Sequence, residues 1–201
     1  MIESPDSMTM SDWERVIRSL KQQVRQYGIN VSEAVLPAGV PGRIRGRSIQ
    51  TNKCVNVEMQ CHLVAHCFGH IVQWSVDEQA IRNLYSELRA AKLSGSQRNE
   101  RLHQVLMKFR LYEEEASEYG ASLYQAEPDA LRGFSIFARA DIESHLTLLA
   151  GKDVAPWDSY FAAWLTKVEN GEIQIALFRP KVIPAFQPVE VPEIDVIQVV
   201  E

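Results

Sequence analysis

The sequence predicts a mainly helical α+β protein with a small sheet and strands towards its carboxy end. Apolar residues recur at helical spacing in several long stretches, one of these stretches is almost free of charge, and two late segments alternate apolar and polar residues. With 201 residues, 46% hydrophobic and 23% charged, the chain is long enough to bury a core. It reads as a helical core over residues 1–125 and a helical and β extension over 126–201 packed on that core.

Trp13, Val16, Ile17, Leu20 and Val24 form one apolar stripe, so the first helix is expected over 12–27, capped by Ser11 with Glu14 as its box partner and stopped near Gly28. Glycines and prolines from Val35 to Ser48 read as a loop, followed by a short edge strand within 49–57. A second helix is expected from about Glu58 to Trp74. After Glu58 it holds no Lys, Arg, Asp or Glu, which is the composition of a helix buried on most sides. A third, from about Val76 to Ala91, carries Ile81, Leu84, Tyr85 and Leu88 on one face, with Asp77 and Glu78 favourably placed in its first turn.

The fourth helical stretch, from about Gln97 to Tyr124, has a stripe of Leu102, Leu106, Phe109, Ala116, Gly120 and Leu123 that is interrupted at Glu113. A carboxylate on a core-facing line needs a cation, a hydrogen-bond network or a metal. The alternative is that Tyr112 makes the contact at that turn and Glu113, Glu114 and Glu115 face water. Further helices are expected from Pro128 to a stop at Gly151 and over 157–169. Residues 172–178 alternate like a strand, and the proline-interrupted tail beyond Gln187 offers an edge for pairing, at home or with a partner.

A net charge of -5 gives no general electrostatic reason to expect direct nucleic-acid binding, and the one local basic stretch, residues 42–47, reads as a solvated turn. The absence of an apolar run of eighteen residues, and an amino-terminal stretch that is neither basic nor apolar, argue against membrane insertion and secretion. Three cysteines without Cys-x-x-Cys spacing suit a reducing cytoplasm, with Cys61 and Cys67 as neighbours for a metal.

The chemistry concentrates in "HLVAHCFGH", residues 62–70. His66 and His70, four apart, share a helix face and can direct both imidazoles at one ion. His62 lies on the same face about 12 Å along the axis from His70, too far to share that ion, and is expected to be a wall residue. Gly69 favours the His66 and His70 end because it lets another helix come close. Two histidines need a third protein ligand, and Glu113 is the best candidate; His103 and His145 are isolated and weaker.

"AHCFGHIVQW" and "EEEASEYGASLY" together resemble the histidine helix and the downstream glutamate helix of the ImmA/IrrE-like zinc peptidases, over about residues 62–124. The resemblance implies a metallopeptidase-like core, with His66, His70 and Glu113 as zinc ligands. Ala116, Tyr119 and Leu123 would be packing positions beside them. It also places Cys67 where the family carries its catalytic glutamate, the base that takes a proton from metal-bound water. Family members cleave helix-turn-helix repressors. A chain without the base is expected to have no catalytic residue of that kind and to act by binding another protein, such as a transcriptional regulator, in regulation or stress response. The other readings are an active zinc peptidase with a displaced base, and an unrelated helical domain without metal.

Overall fold

The structure is a computed structural model that describes residues 8–37, 39–94 and 98–195. The expected start of the fourth helix at Gln97 and the last six residues of the tail, 196–201, lie outside the described residues. Among the described residues five α-helices and a four-stranded sheet form an α+β architecture that is mainly helical with a late strand.

Helix α1 (Met10–Gln26) buries the expected stripe, Trp13, Val16, Ile17, Leu20 and Val24. Its capping box is formed by Thr9 and Asp12 and not by Ser11 and Glu14. Thr9 precedes the first helical residue, and its hydroxyl reaches the Asp12 N–H while Asp12 accepts from the Thr9 N–H at 3.0 Å. Gly28, at φ 75°, ends the turn in a conformation that disfavours a side chain.

The sheet consists of β1 (Asn30–Ala34), β2 (Gly42–Gly46), β3 (Ser48–Asn52) and β4 (Val191–Asp195), in the order β1-β3-β2-β4. Pairing is parallel between β1 and β3 and antiparallel elsewhere. Two local expectations are corrected here. Residues 42–46 are a strand inside the expected loop, and β3 is an interior strand, not an edge. Tertiary pairing overrides the weak strand propensity of "GRIRG", because β2 is held on both sides and fully buries Ile44. The basic stretch is also matched locally: Arg43 lies 2.9 Å from Glu193 and Arg47 lies 3.3 Å from Glu190.

Helix α2 (Val57–Lys92) contains both the second and third expected helices, joined at a break where Asp77 leaves helical geometry (φ -149°, ψ 68°). Asp77 accepts from the Ala80 N–H at 3.0 Å and so restarts the helix. The uncharged first half is buried without interruption from Gln60 to Trp74. Helix α3 (Arg98–Ala121) crosses it in backbone contact: a Cβ on Gly69 would stand 1.9 Å from the Ala116 carbonyl oxygen, and one on Gly120 would stand 2.7 Å from that of Ala65. The close approach expected at Gly69 is therefore real, and Gly120 returns it from the other helix.

Helices α4 (Pro128–Leu149) and α5 (Trp157–Glu169) follow, and α4 packs on both α2 and α3. Residues 172–178 form no strand. They run across the helices, where the Phe178 N–H donates to Ser135 Oγ at 3.1 Å and the Arg139 guanidinium covers the Phe178 ring at 4.2 Å. Ile173 and Ile175 are partly buried, but the alternation ends there, with Leu177 exposed and Phe178 buried. The tail's first part pairs at home, as β4 on β2. Among the described residues no helix is long and apolar enough to cross a membrane.

Candidate metal centre

Helix α2 carries His66 and His70 one turn apart, and the Gly69/Ala116 crossing brings the preceding turn of α3, with Glu113, onto them. The three are buried, and their ligand atoms lie within 4.8 Å of one another. His70 Nε2 is 3.1 Å from His66 Nε2 and 3.2 Å from Glu113 Oε2, which is 3.6 Å from His66 Nε2. Of the two alternatives for the α3 turn the first holds: Glu113 is buried, with Tyr112 buried beside it, and does not face water. Glu114 and Glu115 are half-buried and engaged elsewhere: Glu114 accepts from Arg139 at 2.8 Å and Glu115 pairs with Lys181.

The surroundings fix how His70 presents itself. Gln73 Nε2 donates to the Tyr112 carbonyl at 2.7 Å and to Glu115 Oε2 at 2.9 Å, which orients the amide so that Oε1 faces His70 Nδ1 at 3.2 Å. The Tyr112 hydroxyl meets the same Nδ1 at 3.0 Å, so both partners engage Nδ1 and Nε2 is the nitrogen that faces His66 and Glu113. Lys181, Glu115, Gln73 and His70 thus form a chain from the surface to the centre.

Two residues complete the electrostatics. His145, on α4, donates or shares a proton from Nδ1 to Glu113 Oε1 at 3.0 Å, and Asp141 Oδ2 lies 3.3 Å from His66 Nε2. Burial alone would push the Glu113 carboxyl up, but His70 and His145 outweigh it and hold it well below the ordinary carboxylate range. Burial, then the neighbouring Glu113, raises Asp141 to about 7. Burial, then His70, lowers His66 to about 3. For His145, burial works against the charged ring, yet Glu113 prevails and its pKa is raised.

No hydrogen bond reaches Glu113 Oε2, Asp141 Oδ1 or His66 Nδ1 among the described residues, although all three atoms are buried. Buried oxygens of this kind are costly unless something cationic meets them. The donor set, two imidazoles and a carboxylate, suits zinc. The residues therefore fit the ion on geometry and donor type.

Cys67 is fully buried, and burial, then Asp141, pushes its thiol up, which favours the protonated form. It does not join the converging group, and neither does Cys61, whose thiol faces the Trp13 carbonyl at 3.7 Å. His103 is exposed. Sequence reasoning passed over Asp141 and undervalued His145. The signal was present, because Phe134, Phe137, Asp141 and Ser144 form a buried stripe on α4 interrupted by a carboxylate, as at Glu113.

The fold and site define a mainly helical α+β protein with a buried His-His-carboxylate cluster. Compared with models of protein families, with curated proteins and with solved structures, the chain matches none.

Proposed function

We propose that the chain is a degenerate ImmA/IrrE-like protein that holds zinc at His66, His70 and Glu113 and acts in the cytoplasm by binding another protein, as a regulator and not as a peptidase. The observation that carries the metal reading is the buried convergence of the three ligand atoms with Glu113 Oε2 left without a hydrogen bond. Zinc there would supply positive charge between α2 and α3 and cross-link them. The absence of a carboxylate at Cys67, whose thiol stays protonated, removes the proton acceptor that hydrolysis by this family requires.

Support for protein binding comes from a groove of about 500 Å³ lined by Gln73, Val76, Leu84, Leu111, Tyr112 and Glu115, beside the centre. Val76 and Leu111 are 52% and 64% exposed there, apolar area a partner such as a transcriptional regulator could cover. The division into a core over 1–125 and an extension over 126–201 belongs to the same reading. Its support is the seam of contacts in which the Lys181 N–H donates to the Glu118 carbonyl at 3.1 Å and the Val189 N–H donates to Ser75 Oγ at 3.3 Å.

A metal-free reading is favoured by one observation, the direct His66 to His70 contact at 3.1 Å, which can serve as a plain core hydrogen bond. Elemental analysis of the purified chain separates the two: about one equivalent of zinc, lost in His66→Ala, is the expected result, and none in the intact chain excludes the metal. A protease assay on repressor-type substrates should show no metal-dependent cleavage. Affinity purification from the native cell then identifies the partner.

A further inference from the structure

We propose that Asp141 is a fourth protein ligand, so that the centre is closed by a carboxylate from α4 and leaves no position for water or substrate. This rests on the metal reading above and deepens it. Asp141 Oδ2 lies 3.3 Å from His66 Nε2, the residue is only 3% exposed, and its Oδ1 makes no hydrogen bond among the described residues. It stands on the His66 side, outside the trio of mutually close ligand atoms, and its side chain would have to turn to place an oxygen on a common ion.

Charge and solvent access point the same way. Glu113 and Asp141 together supply two negative charges, the match for a divalent cation held by two neutral imidazoles. The exposures of His66, His70 and Glu113 are 2%, 6% and 2%, so the centre is sealed on the sides that these residues form. Zinc with four protein ligands is the arrangement of structural sites, whereas catalytic sites keep one position open. The position that a catalytic site keeps open for water is here faced by the Asp141 carboxylate. His145, paired with Glu113 Oε1, then acts as a positioning residue for the third ligand. The ion would join three helices, α2, α3 and α4, and would tie α4 to the core.

The full chain is stripped with a chelator and loaded with Co(II), whose visible spectrum reports coordination number, and azide is then added as a small anion that can enter only an open position. The expected result is one bound ion with a four-coordinate spectrum that azide does not move. Asp141→Asn should weaken zinc binding by roughly 10- to 100-fold or more, by the scale of even outer contacts to metal ligands, and should make the cobalt spectrum respond to azide. Asp141→Glu should recover part of the affinity. An azide response in the unmodified chain overturns the proposal, as does an Asp141→Asn variant with unchanged affinity, which would assign Asp141 to the surroundings of the ion. Should that variant fail to fold, the azide response of the intact chain decides alone. Failure of the chain to take up any metal has a separate signature, the absence of a cobalt spectrum, and removes the metal reading and this inference together.

Discussion

His62 and His66 sit one turn apart on the same face of the same helix, both buried, yet they belong to different chemistry. Around His62 the neighbours are rings: Trp13 meets it edge-on at 5.3 Å between centroids, Phe137 lies at 5.6 Å, and the Tyr124 hydroxyl shares a hydrogen bond with Nδ1 at 3.2 Å. Its nearest carboxylate, Glu58, is half-exposed and 3.8 Å away. Around His66 the neighbours are His70, Glu113 and Asp141, all buried. Burial lowers the pKa of both imidazoles, so both are neutral by the same cause. What separates a wall residue from a candidate ligand is the side chains that α3 and α4 bring to each turn.

The largest expected effect comes from the crossing that both ends share. Gly69→Val would drive a side chain into the Ala116 backbone, where even a Cβ has 1.9 Å, and should destabilise by about 3 kcal/mol or more, read as a lower denaturation midpoint in urea. Cys67→Glu, which restores the family's carboxylate in sequence, should also be destabilising by about 3 to 5 kcal/mol in metal-free protein. The fully enclosed position already raises a thiol's pKa, and a carboxylate there would have neither solvent nor a cation to meet it. A stable Cys67→Glu variant with metal-dependent peptidase activity would reverse the reading of this end of the helix.

A sharper contrast uses metal itself. Zinc at about a thousandfold excess over its dissociation constant should stabilise the chain by about 4 kcal/mol. His66→Ala should abolish that gain and His62→Ala should keep it, as measured by melting temperature with zinc and with chelator. Equal loss in both variants would erase the distinction between the two turns.

The pH response of the metal-free protein probes Asp141, a buried carboxylate at the His66 end, where the His62 end has the exposed Glu58. In the unfolded chain Asp141 ionises near 3.8, while in the folded chain burial and Glu113 hold the proton until about pH 7. Stability is therefore lost as pH rises between those values, because the unfolded chain releases a proton that the folded one retains. Asp141→Asn should remove this penalty and gain on the parent by about 3 kcal/mol between pH 4 and pH 6 in chelator, at 1.36 kcal/mol per pKa unit. With zinc present the order of the two proteins should reverse. A difference independent of pH would mean that Asp141 is ionised in the folded protein even without metal.

The smallest effect is expected at His62. Replacing it with Phe keeps a ring among rings and leaves the Tyr124 hydroxyl without its partner, which should cost about 1 kcal/mol in chemical denaturation and leave zinc affinity unchanged. A loss of metal on His62→Phe would join the two turns into one site.

The sequence by itself determined much of this molecule. The apolar stripe of α1, the uncharged stretch 59–74 of α2 and the interrupted stripe of α3 follow from local patterning, which a helix expresses wherever it packs. So did the trio His66, His70 and Glu113 as candidates, because i and i+4 histidines share a face and a carboxylate on a buried stripe needs a partner. Only the tertiary structure decided that Gly42–Gly46 pairs as a strand, that residues 172–178 do not, and that Asp141 and His145 stand at the centre. These are long-range facts. A strand exists by virtue of neighbours distant in sequence, and Asp141 lies 75 residues after the His66 it approaches to 3.3 Å. Helical spacing says which residues share a face, but the angle and depth at which α4 crosses α2 depend on the packing of every side chain between them.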